Sequence, residues 1–388
     1  MRVAFSLIGG RDWMGGYNYL LNLITVLKEH AVERVQPVLF VGTEVDSMLS
    51  NPFEKIGGVS VVRSAVFNRN CEYRRLAMAL IRGCDTEAIR VFEKEKINVI
   101  FESAKFYGWS LPIPAVAWFP DLQHRCLRHL FGFKSYWKRE IGFQAQVLSG
   151  RYIMLSSEDA RKDCERFYSR SRGVTHVVRF SIPNRLNINT VDARKIADYY
   201  GLPEFFFFLP NQFWKHKNHE CVIRALNILK DRGQNFVIAA SGRQFDPRHP
   251  DYFLGLKSDI INQGIEKNFR LLGLIPHDHL IGLMKSCVAI INPSTFEGWS
   301  TTVEEAKSIG TPMILSALAV HREQCKDALF FDGGSPYQLA QILSGYDYQR
   351  SIVVKRELSR ELESDSSGVK EFANQFADLM ELADRRTI

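Results

Sequence analysis

The run Asn292-Pro293-Ser294-Thr295-Phe296-Glu297-Gly298-Trp299-Ser300-Thr301-Thr302-Val303-Glu304-Glu305-Ala306-Lys307 gathers groups suited to holding an anionic, hydroxylated ligand. It follows an apolar, strand-like run, Cys287 to Ile291, and leads into a helical pattern that closes at Gly310-Thr311-Pro312. Small polar residues between the C-terminal end of a parallel strand and a helix N-terminus form the usual ligand crevice of an α/β sheet. The free amides of such a terminus attract phosphates. Glu297 and Glu305 bracket the turn with seven residues between them. One falls in the loop and the other about one turn inside the helix, so both can face one ligand. The layout suits a sugar nucleotide. Its phosphates would meet the amides of Gly298, Trp299, Ser300, Thr301 and Thr302, and its hydroxyls the carboxylates. Acidic residues also favour the first turn of any helix; that accounts for Glu304 and Glu305, but not for Glu297.

Three further loops carry candidate groups. Pro210-Asn211-Gln212-Phe213-Trp214-Lys215-His216-Lys217-Asn218-His219 follows the apolar run Phe205 to Leu209. A charge-assisted hydrogen bond contributes about 1.5–3 kcal/mol, against about 0.3–1 kcal/mol for a helix dipole acting on an exposed anion. A lysine here therefore outweighs the dipole, unless Lys215, His216 and Lys217 are merely a solvated basic turn. Gly15-Gly16 follows the first strand and opens a helix, where glycine lets backbone approach a ligand closely. Trp118-Phe119-Pro120-Asp121-Leu122-Gln123-His124 ends another strand and offers Asp121 and His124, although a lone histidine is as readily an ordinary surface residue. No Asp-x-Asp pair supports a metal clamp, and His277-Asp278-His279 reads as a helix start.

Phe296-Glu297-Gly298, Glu305-Ala306, Gly310-Thr311-Pro312 and His321-Arg322-Glu323 together resemble the donor-binding signature of the family four retaining glycosyltransferases. These are group 1 glycosyltransferases of the GT-B fold. The resemblance implies that Glu297 contacts the donor sugar and Glu305 the nucleotide ribose. It implies that Lys217 neutralises the donor diphosphate beside Asn211 and the loop amides, and that Gly15 and Gly16 line the cleft. The chain departs from the family at four places. Ser300 replaces a common glycine and Thr302 a common proline. Gln212 stands where an arginine is usual, leaving Lys215 or Arg243 to supply that charge. Pro120 replaces the histidine of a His-Asp pair, so that Asp121 matches while His124 is the substitute candidate.

The elements that must position these residues alternate along the chain. Strand candidates in the first half are Val3–Ile8, Val35–Val41, Val99–Phe101, Ala115–Phe119, Tyr152–Leu155 and Thr175–Val178. A second series holds Phe205–Leu209, Asn235–Ala240, Phe269–Leu272, Val288–Ile291, Pro312–Leu315 and Leu329–Phe331. Alternating strands and helices call for an α/β fold with parallel sheets. The resemblance implies two Rossmann-like, doubly wound domains facing a cleft: residues 1–185 on the acceptor side and 186–367 on the nucleotide-sugar side. Polar Ser181 to Asn187 fits the linker. Residues 368–388, with Val369, Phe372, Phe376, Leu379 and Leu382 in a helical stripe, are expected to cross back to the first domain.

Composition narrows the partners. The 388 residues are 46% hydrophobic and 24% charged, as in globular proteins with room for two domains. No run of about 18 apolar residues predicts a membrane span, and the N-terminus reads as a buried strand rather than a signal sequence. Seven scattered cysteines predict a reducing, cytoplasmic setting without disulfides. A net charge of +7 fits an anionic substrate or membrane face, and no nucleic-acid motif accompanies it. Arg125, Arg128, Lys134, Lys138 and Arg139 intermix with Leu130, Phe131, Phe133, Tyr136 and Trp137, a pattern that serves either as a peripheral contact with the inner membrane leaflet or as a solvated helix face.

The function implied is metal-independent, cofactor-free transfer of a sugar from a nucleotide-diphosphate donor to a carbohydrate or lipid-linked acceptor, in polysaccharide or glycolipid synthesis. No covalent nucleophile emerges, which favours same-face attack assisted by the donor phosphate. Rival readings are a sugar-nucleotide epimerase or phosphorylase on the same architecture, and a catalytically silent sugar-nucleotide-binding subunit.

Overall fold

The computed structural model describes residues 1–9, 14–103, 105–183, 192–364 and 367–386. Two compact units divide them: 1–128, 133–181 and the terminal segment from 367 form the first, and 129–132 with 182–366 the second. Of the expected linker, 184–187 lie outside the described residues.

The first unit holds a seven-stranded sheet of β1 (Arg2–Ser6), β2 (Gln36–Val41), β3 (Ser60–Arg63), β4 (Val99–Ser103), β5 (Ala115–Trp118), β6 (Tyr152–Leu155) and β7 (Thr175–Val177). All pairings are parallel, in the order β3-β2-β1-β4-β5-β6-β7. Phe5 sits opposite Leu39 on one side and Phe101 on the other. Strands buried on both faces read as unbroken apolar runs, which is why most were visible in the sequence. The edge strand β3 was not foreseen. Its residues are half-buried or exposed, and the run is only four residues long.

The helix Ser367–Arg385 closes this unit. It buries Val369, Phe372, Phe376 and Leu379, whereas Leu382, expected in the same stripe, is exposed. The Phe376 ring lies 5.8 Å from Phe5 and 5.3 Å from Phe101. Arg34 holds the solvent side through Glu381 at 2.8 Å and Asp378 at 2.5 Å.

The second unit repeats the plan with β8 (Phe207–Leu209), β9 (Ile238–Ser241), β10 (Phe269–Gly273), β11 (Ala289–Asn292), β12 (Met313–Ser316) and β13 (Leu329–Phe331). The order is β10-β9-β8-β11-β12-β13, again parallel throughout. Strand order reverses between β8 and β11, so the loops after these two strands diverge at the sheet's switch point and leave a crevice. The central strands end in buried polar residues, Ser241, Asn292 and Ser316, at the carboxyl edge of an otherwise apolar sheet. Burying such groups is tolerated where they find hydrogen-bond partners, and the loops above supply them to Asn292 and Ser316.

Candidate active site

The loop after β8 and the loop after β11 meet at that switch point. Lys217 Nζ lies 2.5 Å from Glu297 Oε1, with the two side chains 15% and 9% exposed. Ser294 Oγ lies 2.7 Å from the same Glu297 oxygen and 2.7 Å from Asn292 Oδ1, and its single proton is shared between these two acceptors. Burial alone would raise the Glu297 carboxyl, but the Lys217 charge, followed by His321 and His216, holds it down at about 2. Glu297 is therefore ionised throughout the neutral range.

Two imidazoles flank the pair. His216 is buried and held neutral, its pKa pushed to about 3 by burial and by the neighbouring Lys217 charge. His321, fully buried, has Nδ1 2.9 Å from the Ser316 carbonyl oxygen. A carbonyl can only accept, so Nδ1 carries the proton and Nε2 keeps its lone pair. Burial again lowers the pKa, against Glu297 and the Ser316 carbonyl, which raise it.

Backbone ties hold the two loops together. Asn218, in the left-handed region at φ 55°, donates from Nδ2 to the Pro293 carbonyl at 3.1 Å and the Gly333 carbonyl at 2.8 Å. Thr295 N–H donates to the His216 carbonyl at 2.8 Å. Asn292, wholly buried, joins the strand ends: its Oδ1 accepts from Asn211 Nδ2 at 3.2 Å and from Ser294 Oγ at 2.7 Å. Thr302 Oγ1 donates to Asn211 Oδ1 at 3.3 Å. Asn211, Lys217, Glu297 and Thr302 thus belong to one connected set.

Other expected residues are placed differently. The Ser300 amide is taken by Gln324 Oε1 at 2.9 Å, which removes it from the phosphate donors expected of this loop. The Ser300 hydroxyl turns inward to accept from Asn292 Nδ2 at 3.0 Å. Of the paired acids in the helix Thr301–Lys307, Glu304 points into the core toward Gln324 and Lys307, and Glu305 is half-buried. Gly298 is buried, and Trp299 and Thr301 are half-buried in the same turn. Gln212 spends its side-chain oxygen on the Arg243 amide at 2.9 Å. The Arg243 and Lys215 side chains are exposed.

In the first unit, Gly15 and Gly16 occupy the first turn of the helix Met14–His30. Asp121 accepts from the Gln123 N–H at 3.0 Å, just ahead of the short helix Gln123–Cys126, and pairs with Arg139 at 3.2 Å. His124 differs from the expectation of a ligand-facing side chain. It is wholly buried, with Nε2 3.2 Å from Glu140 and 3.3 Å from the Tyr168 hydroxyl. Glu140 is also paired with Arg125, so this cluster ties the helix Phe133–Leu148 to the short helix Gln123–Cys126 and to Tyr168. His277 begins the helix His277–Ser286, as its sequence suggested. Among the described residues, no group of three or more His, Cys, Asp or Glu side chains gathers as a metal site.

A family model described as "Glycosyl transferases group 1" matches residues 196–343, which span both loops of the ion pair. The second unit is a group 1 glycosyltransferase domain. Solved structures extend the likeness across the chain. Anabaena HepE, crystallised with UDP and glucose, matches with a TM-score of 0.72 at 16% identity, covering 98% of this chain and 100% of that one. A glycosyltransferase from Rickettsia africae gives 0.70 at 14%, covering 98% and 97%. WaaG, a glycosyltransferase involved in lipopolysaccharide biosynthesis, gives 0.66 at 12%, covering 98% and 99%. At such identities the likeness establishes the GT-B fold of two Rossmann-like domains. A search of curated proteins finds no significant match.

Proposed function

We propose that this group 1 glycosyltransferase moves a sugar from a nucleotide-diphosphate donor to a hydroxyl acceptor, with retention at the anomeric carbon and without a metal ion. The observation that carries the reading is the Lys217–Glu297 pair at the switch point between β8 and β11. Cleaving a glycosyl–phosphate bond builds negative charge on the leaving diphosphate and positive character on the sugar ring. A fixed cation beside the first, and a carboxylate that stays ionised beside the second, lower the energy of that charge separation. Lys217 takes the diphosphate in this scheme. Glu297, oriented by Ser294, takes the sugar, and Glu305 the ribose.

Gln212 supports a second reading, a sugar-nucleotide-binding subunit without turnover. Its side chain is neutral and tied to the Arg243 backbone where a second cation would assist the leaving group. One assay separates the two. The protein is incubated in EDTA with UDP- and GDP-sugars and a panel of glycan and lipid-linked acceptors, and the product's anomeric configuration is read by NMR. UDP is the first nucleotide to try, since it occupies the HepE structure. Consumption with a retained anomer supports transfer, whereas binding without turnover on any acceptor supports the silent subunit. A chain that neither binds nor consumes a nucleotide sugar refutes both.

The acceptor side is proposed to lie at an anionic membrane, where a lipid-linked acceptor would be met. Leu130, Phe131 and Tyr136 are buried, so the basic–aromatic face is narrower than its sequence implied. Phe133 and Trp137 remain exposed and are joined by Ile141 at the same helical spacing. Lys134 and Lys138 are exposed beside them, and the helix's one acid, Glu140, is buried. Apolar side chains interleaved with cations suit the interface of an anionic bilayer. No helix among the described residues is long and apolar enough to cross a membrane.

A further inference from the structure

Gln324 ends the helix Ala319–Gln324 and is 5% exposed. Its Oε1 accepts the Ser300 N–H at 2.9 Å, and its Nε2 donates to the Ser300 carbonyl at 3.1 Å and to Glu304 Oε1 at 3.1 Å. A carboxamide offers the same donor and acceptor as a peptide unit, so it pairs with Ser300 much as a neighbouring strand would. The remaining polar group of Ser300, its hydroxyl, is held by Asn292. Ser300 is therefore fixed through all of its polar atoms, three residues beyond Glu297.

Asn292 sits at the other end of the same loop and grips Ser294, whose hydroxyl touches Glu297. The stretch that carries the carboxylate is clamped at both ends, and Gln324 supplies the clamp that comes from outside it. An unpaired buried amide or carbonyl is costly, so without the carboxamide this loop would reorganise to recover partners. Glu297 would move with it.

We infer that Gln324 is a positioning residue for Glu297, acting through Ser300 to keep the carboxylate in register with Lys217. This rests on the reading of Lys217 and Glu297 as the donor-binding pair. A merely structural role would lower stability and leave a folded variant's turnover intact; a positioning role lowers turnover itself.

The test uses Gln324→Met, near in size but unable to pair, and Gln324→Glu, which keeps the acceptor alone. Transfer rates, UDP affinity, thermal unfolding and amide exchange at Ser300 are measured for each. The expected result is a folded Gln324→Met protein whose kcat falls on the order of 10–100-fold, as small misplacements of reacting groups do. The Kd for UDP should stay within about threefold, because Lys217 is not displaced. The Ser300 amide should be protected in the native chain and exchange freely in the variant. If Gln324→Met fails to fold, the same split is read from Gln324→Glu. A kcat within twofold of native, or UDP affinity lost in proportion to kcat, overturns the inference. A native Ser300 amide that exchanges like open loop overturns the clamp. Native protein that binds no nucleotide diphosphate overturns the donor-site reading instead, and amide exchange still decides whether the clamp exists.

Discussion

Lys217 and Glu297 neutralise one another at 2.5 Å across two loops that are 80 residues apart in sequence. Because both are largely buried, the pair contributes more than a surface contact, and either partner left alone is a desolvated charge. Glu297→Gln and Lys217→Met should each destabilise the second unit by about 3–5 kcal/mol. The double variant should lose less than the sum of the two, and urea unfolding of all four proteins gives the coupling. The unfolded-state value of Glu297 is the usual 4.5 and the folded one about 2, so its contribution is complete above pH 4.5. It fades as pH falls toward 2. Transfer by either single variant should drop by about 100-fold or more. Native-level transfer in Glu297→Gln would remove the residue from the mechanism.

The buried imidazoles set an acid limit well before that carboxylate is protonated. His216 and His219 both have pKa values pushed to about 3, chiefly by burial. These are bases with depressed pKa values, so the unfolded chain takes up protons below the ordinary value of 6.5 while the folded chain does not. Stability is therefore full above 6.5 and declines as pH falls toward 3. Each histidine should cost about 2 kcal/mol between pH 6.5 and 5. Denaturant unfolding at pH 7.5 and 5.0 measures the loss, and His216→Gln should flatten the slope. Equal stability at the two pH values would contradict the buried, neutral state.

The legible parts of this molecule were those governed by local pattern. Strands such as β8 and β11 are apolar on both faces, and the loop after each begins with residues no strand would carry, Pro210-Asn211 and Pro293-Ser294. Lys217 and Glu297 could be placed because each follows such a break. What stayed hidden depends on partners distant in sequence. Gln324 lies 24 residues from Ser300, and nothing in its own surroundings marks it. His124 looked like a loop histidine because Glu140 and Tyr168, which bury it, lie 16 and 44 residues away. Glu304 and Glu305 are neighbours, and only the packing of the helix against Gln324 decides which turns inward.

The exposed face of the helix Phe133–Leu148 can be tested apart from catalysis. Phe133 is 72% exposed and Ile141 56%, so polar replacements there leave the core untouched. Phe133→Ser with Ile141→Ser should weaken co-sedimentation with phosphatidylglycerol vesicles at least severalfold, while activity on a soluble acceptor stays the same. Binding by the native chain should also fall as salt rises from 50 to 500 mM, roughly as expected for screened lysines. Equal sedimentation of native and variant protein would dismiss this face as the contact.

Gly242 shows how little space the site's framework leaves. Its φ of 146° is poorly accessible to other residues, and a Cβ placed there would lie 2.4 Å from the Asn211 carbonyl oxygen. That oxygen is backbone and cannot swing aside as a side-chain tip would. The strand end carrying Asn211 would have to retreat, taking with it the hydrogen bond to Asn292 that joins the two loops. Gly242→Ala should therefore destabilise the protein by about 2 kcal/mol or more and weaken UDP binding, although Gly242 is not among the proposed ligand contacts. Gly142 is the control, a helical glycine with nothing within 4 Å of its would-be Cβ. Gly142→Ala should raise stability by about 0.5–1 kcal/mol, because alanine favours helix. Thermal unfolding and UDP titration of the two variants distinguish a close-packed loop junction from an ordinary turn. Gly242→Ala protein with native stability and affinity would show that the junction yields freely.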